Sequence, residues 1–265
     1  RGGAGVEVLR RHVRDGIVQV VPAVPGFDIC LDLVEASAAG HDGADYEAAT
    51  VRRMQEGAAD LAVVGTRGWD DFGAPGLAAL GAPFLVDSYR LQERIFTSGL
   101  VETLLEQLRP AGVVGIGILP GPLRRPFGLT SALVAPRDFE GLTIGTQQSN
   151  VADATLMALG AQPRRLPMDV FAPDGLSGVD GVELQVAAVE TGRLDAESSH
   201  LMTNVNLWPR SLVVFAGAAA YGRLSDHERR ILHTAATHVV AEQAAAHRGE
   251  AAEHAHARTV EKSAC

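Results

Sequence analysis

Short, nearly continuous apolar runs alternate along this chain with longer segments of helical spacing. "ADLAVVG", "VVGIGILPG", "GLTIG" and "SLVVFA" read as buried strands, and "CLDLVEA" precedes them. "ADYEAATVRRMQEG" reads as a helix, with Tyr46, Ala49 and Met54 near one face and Gly57 as its stop. "YRLQERIFTSGLVETLLEQLRPAG" holds one or two helices, and "NVADATLMALG" ends at Gly160. "AQPRRLP" reads as a short strand and "GVDGVELQ" as a turn feeding a helix. A long helical stretch starts at Ser225, whose spacing to Glu228 fits a capping box. This alternation predicts an α/β protein with mainly parallel strands and right-handed crossovers, in which ligands sit at the carboxyl ends of strands.

The 265 residues, 46% of them hydrophobic, suffice for one large or two smaller domains. A net charge of −9 argues against nucleic acid as a partner, because phosphate binding needs a basic face. The basic pairs Arg10-Arg11, Arg52-Arg53, Arg124-Arg125 and Arg164-Arg165 are scattered. Every apolar run is broken by Gly, Pro or charge before it reaches membrane-spanning length. The opening "RGGAGVEVLRRHVRDG" lacks the apolar centre of a signal peptide, and a cleaved signal would leave no trace. Cys30 lies in an apolar run and Cys265 ends the chain, so a disulfide between them is open but unforced.

The nine histidines raise the question of metal. His254 and His256 point apart on a helix, and His233 and His238 are also badly spaced for chelation. The glycines of "GVVGIGILPG" sit inside a strand, where they cannot form a phosphate loop. There is no G-x-S-x-G elbow, and no cofactor is expected. Four polar clusters at strand ends remain. "VVGTRGWDD" places Thr66, Arg67 and Trp69; "PGPLRRPFG" places Arg124 and Arg125. "GTQQSN" supplies Gly145, Thr146, Gln147 and Gln148, and "TNVNLWPR" supplies Asn204, Asn206, Trp208 and Arg210. Guanidinium groups beside aromatic rings and amides suit a small polar or anionic organic ligand, since Arg grips a carboxylate through two parallel hydrogen bonds.

Several segments resemble the substrate-binding proteins of TRAP (tripartite ATP-independent periplasmic) transporters. "VRRMQEGAADLAVVGT" resembles their helix-Gly-x-x-Asp-strand segment, and "LAALGAPFLVDS" the segment that follows. "PRDFEGLTIG" resembles their Pro-x-Asp-x-x-Gly-x-x-x-Arg stretch, "MALGAQPRRLP" their Gly-Ala-x-Pro stretch, and "GLSGVDGVE" their Gly-x-x-Asp-Gly-x-Glu stretch. The matches occur in family order from about Tyr46 to Ala236.

The resemblance implies a two-lobe, periplasmic-binding-protein-like α/β fold with a ligand cleft between the lobes and a long C-terminal helix. One lobe is expected from 1–122 with 206–235. The other is expected from 123–205 with 236–265 and the spanning helix. It further implies an extracytoplasmic, non-enzymatic protein that captures an organic acid and delivers it to a membrane permease. Arg124 falls on one of the family's pocket arginines and is expected to be the main charged contact of the ligand. Gly145 stands where the family's hallmark arginine grips the ligand's carboxylate, which implies room for a bulkier or less anionic ligand. The free N–H groups of the helix after "GTQQSN" would then act in its stead, or Arg67 or Arg125 would restore the charge. Trp69 and Trp208 are expected to flank the cleft. Two other readings are an enzyme on the same scaffold, with Asp70, Glu183 or His200 as its acid or base, and a sensory module that presents its ligand to a receptor.

Overall fold

A computed structural model of the chain describes residues 44–167, 175–191, 194 and 199–263. The "CLDLVEA" run, Cys30, Cys265 and the side chains of His254 and His256 lie outside what is described.

The described residues build two sheets. The first begins with helix α1 (Tyr46–Gln55), which feeds strand β1 (Leu61–Gly65). Gly57 ends α1 with φ +78°. Its N–H reaches the Met54 carbonyl and the next N–H reaches that of Arg53, which is the Schellman closure. Helices α2 (Pro75–Leu80), α3 (Tyr89–Phe96) and α4 (Leu100–Glu106) follow, then strand β2 (Val113–Leu119). The core around Trp69, Leu77, Leu108, Ile118 and Phe215 is fully buried.

The chain then crosses to a second sheet through β3 (Leu123–Gly128), β4 (Thr143–Thr146), helix α5 (Asn150–Ala158), β5 (Gln162–Arg165) and β6 (Gly181–Leu184). Helix α6 (Val186–Thr191) and the short strands β7 (His200–Leu201) and β8 (Trp208–Pro209) complete this part. The sheet runs β5-β4-β6-β3-β7, with β8 paired to β3. Two smaller clusters pack here, one around Phe127, Leu166, Val182 and Leu184, the other around Leu133, Phe139, Ile144 and Leu156.

The chain returns through β9 (Leu212–Gly217), which lies between β1 and β2 and is antiparallel to both. After α7 (Ala218–Arg223), helix α8 (Asp226–Ser263) closes the described chain. Its capping box forms as expected: Ser225 N–H donates to the Glu228 carboxylate, and Glu228 N–H donates to Ser225 Oγ. The buried residues Ile231, Ala235, Val239 and Ala244 give α8 an apolar stripe that lies against β2 and α3.

Two sequence expectations fail here. Among the described residues, only β4 pairs in parallel, with β5 and β6; the other pairings are antiparallel. A chain that leaves one lobe and comes back must enter each sheet against the strand on which it left. "GVDGVELQ" is also not a turn feeding a helix: Gly181–Leu184 is a fully buried strand at the centre of the second sheet, and the helix starts only at Val186.

The two crossings touch. A Cβ on Gly121 would fall 1.6 Å from the Arg210 carbonyl oxygen, so only glycine fits there. The buried Gln92 side chain clamps the same residue, accepting its N–H at 2.7 Å and donating to its carbonyl at 3.0 Å.

Candidate ligand-binding site

Where the lobes meet, three arginines from three elements converge. Arg67 lies in the single 3-10 turn (Thr66–Trp69) that β1 runs into. Arg124 lies at the start of β3 and Arg210 between β8 and β9. They face two buried acids. Glu47 occupies the first turn of α1, on the stripe that continues through Val51 and Met54. Glu183 alternates with Val182 and Leu184 on β6, so it faces away from their apolar cluster.

Glu47 is held from three sides. Arg67 Nε donates to it at 2.9 Å, Arg210 Nη2 at 3.0 Å and the Gly65 N–H at 2.7 Å. Arg210 Nη2 also donates to the Tyr46 hydroxyl at 2.6 Å. Glu183 takes the Arg124 guanidinium through Nε, while Arg124 Nη2 donates to the Glu183 carbonyl and Nη1 to Gln185. Thr146 Oγ1 donates to Glu183 at 3.2 Å, and Arg67 Nη1 stands 3.7 Å from the same carboxylate. Gln147 links the lobes, donating to the Tyr46 hydroxyl and accepting from Arg210, both at 3.4 Å.

Burial works to raise the carboxyl of Glu47, but the charges of Arg67 and Arg210 and the hydrogen bonds outweigh it and hold the group at about 2. Glu183 is likewise pushed up by burial and pulled further down by Arg124 and Arg67, so it ends below its ordinary value. Burial raises the Tyr46 hydroxyl, which stays neutral. Arg210 ends above its ordinary value: burial opposes its charge, but Tyr46, Glu47 and Glu183 favour it more.

A pH dependence follows. Glu47 has a folded value near 2 against an ordinary 4.5. A depressed carboxyl supplies stability that is complete above the unfolded value and is lost as pH falls through the folded one. The loss should amount to roughly 3 kcal/mol. Acid unfolding followed by circular dichroism should show a steeper loss between about pH 4.5 and about pH 2 in the wild type than in Glu47→Gln. Equal slopes would mean that Glu47 titrates normally.

Beside this network lies a cavity of about 20 Å³, lined by Gly65, Thr66, Arg67, Ser149, Trp208 and Ser211 among others. That is room for about one water molecule. Two lining residues carry buried polar atoms with no hydrogen-bond partner among the described residues: Arg67 Nη2 and Ser211 Oγ. Buried donors are rarely left unpaired, so both mark a place where a ligand or water completes the set.

The structure thus gathers Thr66, Arg67, Arg124, Thr146, Gln147 and Trp208 at the junction of the lobes. Two expectations do not survive, those for Trp69 and Gly145. Trp69 is not at the cleft: it is 0% exposed in the first lobe's core, edge-on to Phe72 and Phe215. Asn204 is exposed and donates to the Val134 carbonyl; Asn206 is half-buried, donates to the Asp87 carbonyl and has a buried side-chain oxygen with no partner among the described residues. Gln148 is half-buried, and its side-chain oxygen has no partner among the described residues. Gly145 does not open space: a Cβ there would meet Leu166 at 2.6 Å, so a leucine fills the side where room was expected.

The amides that begin α5 are not spare either. Asp70 crosses from the first lobe to accept the Asn150 N–H at 2.6 Å, and Ser149 Oγ accepts from Ala152. Arg125 donates to the Thr203 carbonyl. Of the three acid–base candidates, Asp70 is thus a helix cap, Glu183 an ion-pair partner and His200 an exposed residue of β7. His233 uses its ring nitrogens on the Tyr221 hydroxyl and the Ile116 carbonyl.

Tyr46, Glu47 and Gln185 escaped the sequence reading as site residues. A signal existed for Glu47, an acid on a helix stripe otherwise apolar at Val51 and Met54. Glu183, read only as an acid–base candidate, had a similar mark: it sits between two buried apolar neighbours.

Two α/β lobes joined by touching crossover strands, with cations converging on the seam, define a two-lobed ligand-binding protein. Solved structures share the fold. A TRAP periplasmic solute-binding protein of Pseudomonas aeruginosa, with bound L-malate, superposes with a TM-score of 0.67 at 20% identity, covering 80% of this chain and 75% of its own. One from Xanthobacter autotrophicus, with bound β-D-galacturonate, gives 0.67 at 19% identity, covering 82% and 72%. The chain belongs to the bacterial extracellular solute-binding proteins of family 7, whose sequence model matches residues 34–263. The C4-dicarboxylate-binding periplasmic protein DctP of Rhodobacter capsulatus is 24% identical over 201 residues, which are 76% of this chain. The chain spans about half (55%) of that relative's length.

Proposed function

We propose that the chain is an extracytoplasmic solute-binding protein. It captures a small organic ligand, carboxylate-bearing or polar, between its lobes and delivers it to the membrane permease of a TRAP-type transporter. The observation that carries this reading is the unpaired buried guanidinium nitrogen of Arg67, set among three convergent arginines in a cleft between two lobes. Such a donor is completed by a carboxylate oxygen. The malate and galacturonate held by proteins of the same fold are ligands of that chemistry. A cavity of about 20 Å³ is too small for either, so the ligand enters when the lobes part about the crossing strands at Gly121 and Arg210.

The test is a panel of small mono- and dicarboxylates and sugar acids, read by thermal unfolding and by indole emission. A bound acid at about a hundredfold excess over its Kd should stabilise the fold by roughly 2.7 kcal/mol. Trp208 lines the cavity and Trp69 sits in the core, so Trp208→Phe should lose the emission response and Trp69→Phe should keep it. A panel in which no acid raises the unfolding temperature would sink the carboxylate reading.

A further inference from the structure

The charges between the lobes do not cancel. Arg67, Arg124 and Arg210 contribute three positive charges and Glu47 and Glu183 two negative ones, which leaves one positive charge among the described residues. All five side chains are at most 11% exposed. Tyr46 adds no charge, and Asp70, the next acid, forms no ion pair with these arginines: it caps α5 at the Asn150 N–H and keeps its own negative charge at the edge of the cluster. Arg124 uses all three of its guanidinium nitrogens on protein acceptors and Arg210 uses Nε and Nη2, whereas the buried Nη2 of Arg67 has no partner among the described residues. The unpaired buried donor, Arg67 Nη2, thus belongs to a cluster of ion-paired side chains whose sum is positive.

We infer that Glu47 and Glu183 set the charge of the ligand: the site takes a singly charged carboxylate and rejects a dianion built on the same skeleton. This rests on the carboxylate reading above. One carboxylate brings the buried cluster to neutrality. A second finds no further unbalanced cation among the described residues and must be desolvated beside two buried glutamates, which is costly and repulsive. The two acids thus act as the discriminating element against dicarboxylates, while the arginines supply the attraction.

Matched acids that differ by one carboxylate test this by calorimetry near neutral pH: lactate against malate, propanoate against succinate, gluconate against glucarate. In every pair that binds, the monoacid should bind at least roughly tenfold more tightly. Glu47→Gln removes one negative charge, raises the sum by one and should narrow or invert the ratio. Should that variant fail to fold, the wild-type ratio decides alone. Dianions that bind as tightly as their monoacid partners, or more tightly, overturn the inference and leave the carboxylate reading standing. If no acid of either class binds, the carboxylate reading falls and takes this inference with it.

Discussion

Arg124→Ala is expected to destabilise the folded protein by about 3–5 kcal/mol, because it orphans a fully buried carboxylate. Glu183 is 1% exposed at its side chain and draws its main partner from Arg124. With the guanidinium gone, only Thr146 and the more distant Arg67 remain. The residue that resembled the family's pocket arginine is therefore first a structural cation in this chain. Its head group is spent on Glu183 and Gln185 and joins β3 to the end of β6. Urea denaturation of the variant measures the loss. A double variant, Arg124→Met with Glu183→Leu, should recover most of it, since neither charge is then left alone. A single variant within about 1 kcal/mol of wild type would show that water reaches the pair.

Arg67→Ala is expected to act mainly on the ligand, weakening a bound carboxylate by about 2–5 kcal/mol. Glu47 keeps Arg210 and the Gly65 N–H when Arg67 is truncated, and Glu183 keeps Arg124. No buried acid is orphaned, so the stability cost should be well below that of Arg124→Ala. What disappears is the guanidinium whose buried Nη2 has no partner among the described residues. Calorimetry on the tightest-binding acid of the panel separates the outcomes. Unchanged affinity would remove Arg67 from the site. Lysine at this position should restore the charge but only part of the binding, because it lacks the planar fork.

Among the described residues, what was legible in the sequence is local. Gly57 and Gly160 stop helices where they were expected to, with φ +78° and +81°. Ser225 and Glu228 cap each other across three residues. The apolar runs at Leu61–Gly65, Val113–Leu119 and Leu212–Gly217 are strands. The arginines at strand ends were also readable as a group, since a strand that stops short of solvent leaves its next polar residues at the sheet's edge. Such features rest on helix caps, helix stops and side-chain period, all written within one or two turns of chain.

The tertiary structure alone decided the rest. Arg210 meets Glu47 across 163 residues and Arg124 meets Glu183 across 59, distances over which no local pattern names a partner. Leu166 occupies the side of Gly145 only because β5 lies parallel beside β4. Trp69 looked like a cleft residue because polar neighbours surround it in sequence, yet the tight turn from Thr66 to Trp69 aims its ring at Phe215 of a strand from the far end of the chain. The net positive charge of the ion-paired set is a property of the assembled cluster: it exists only once two acids and three arginines from separate elements share one buried volume, where an unmatched charge is costly.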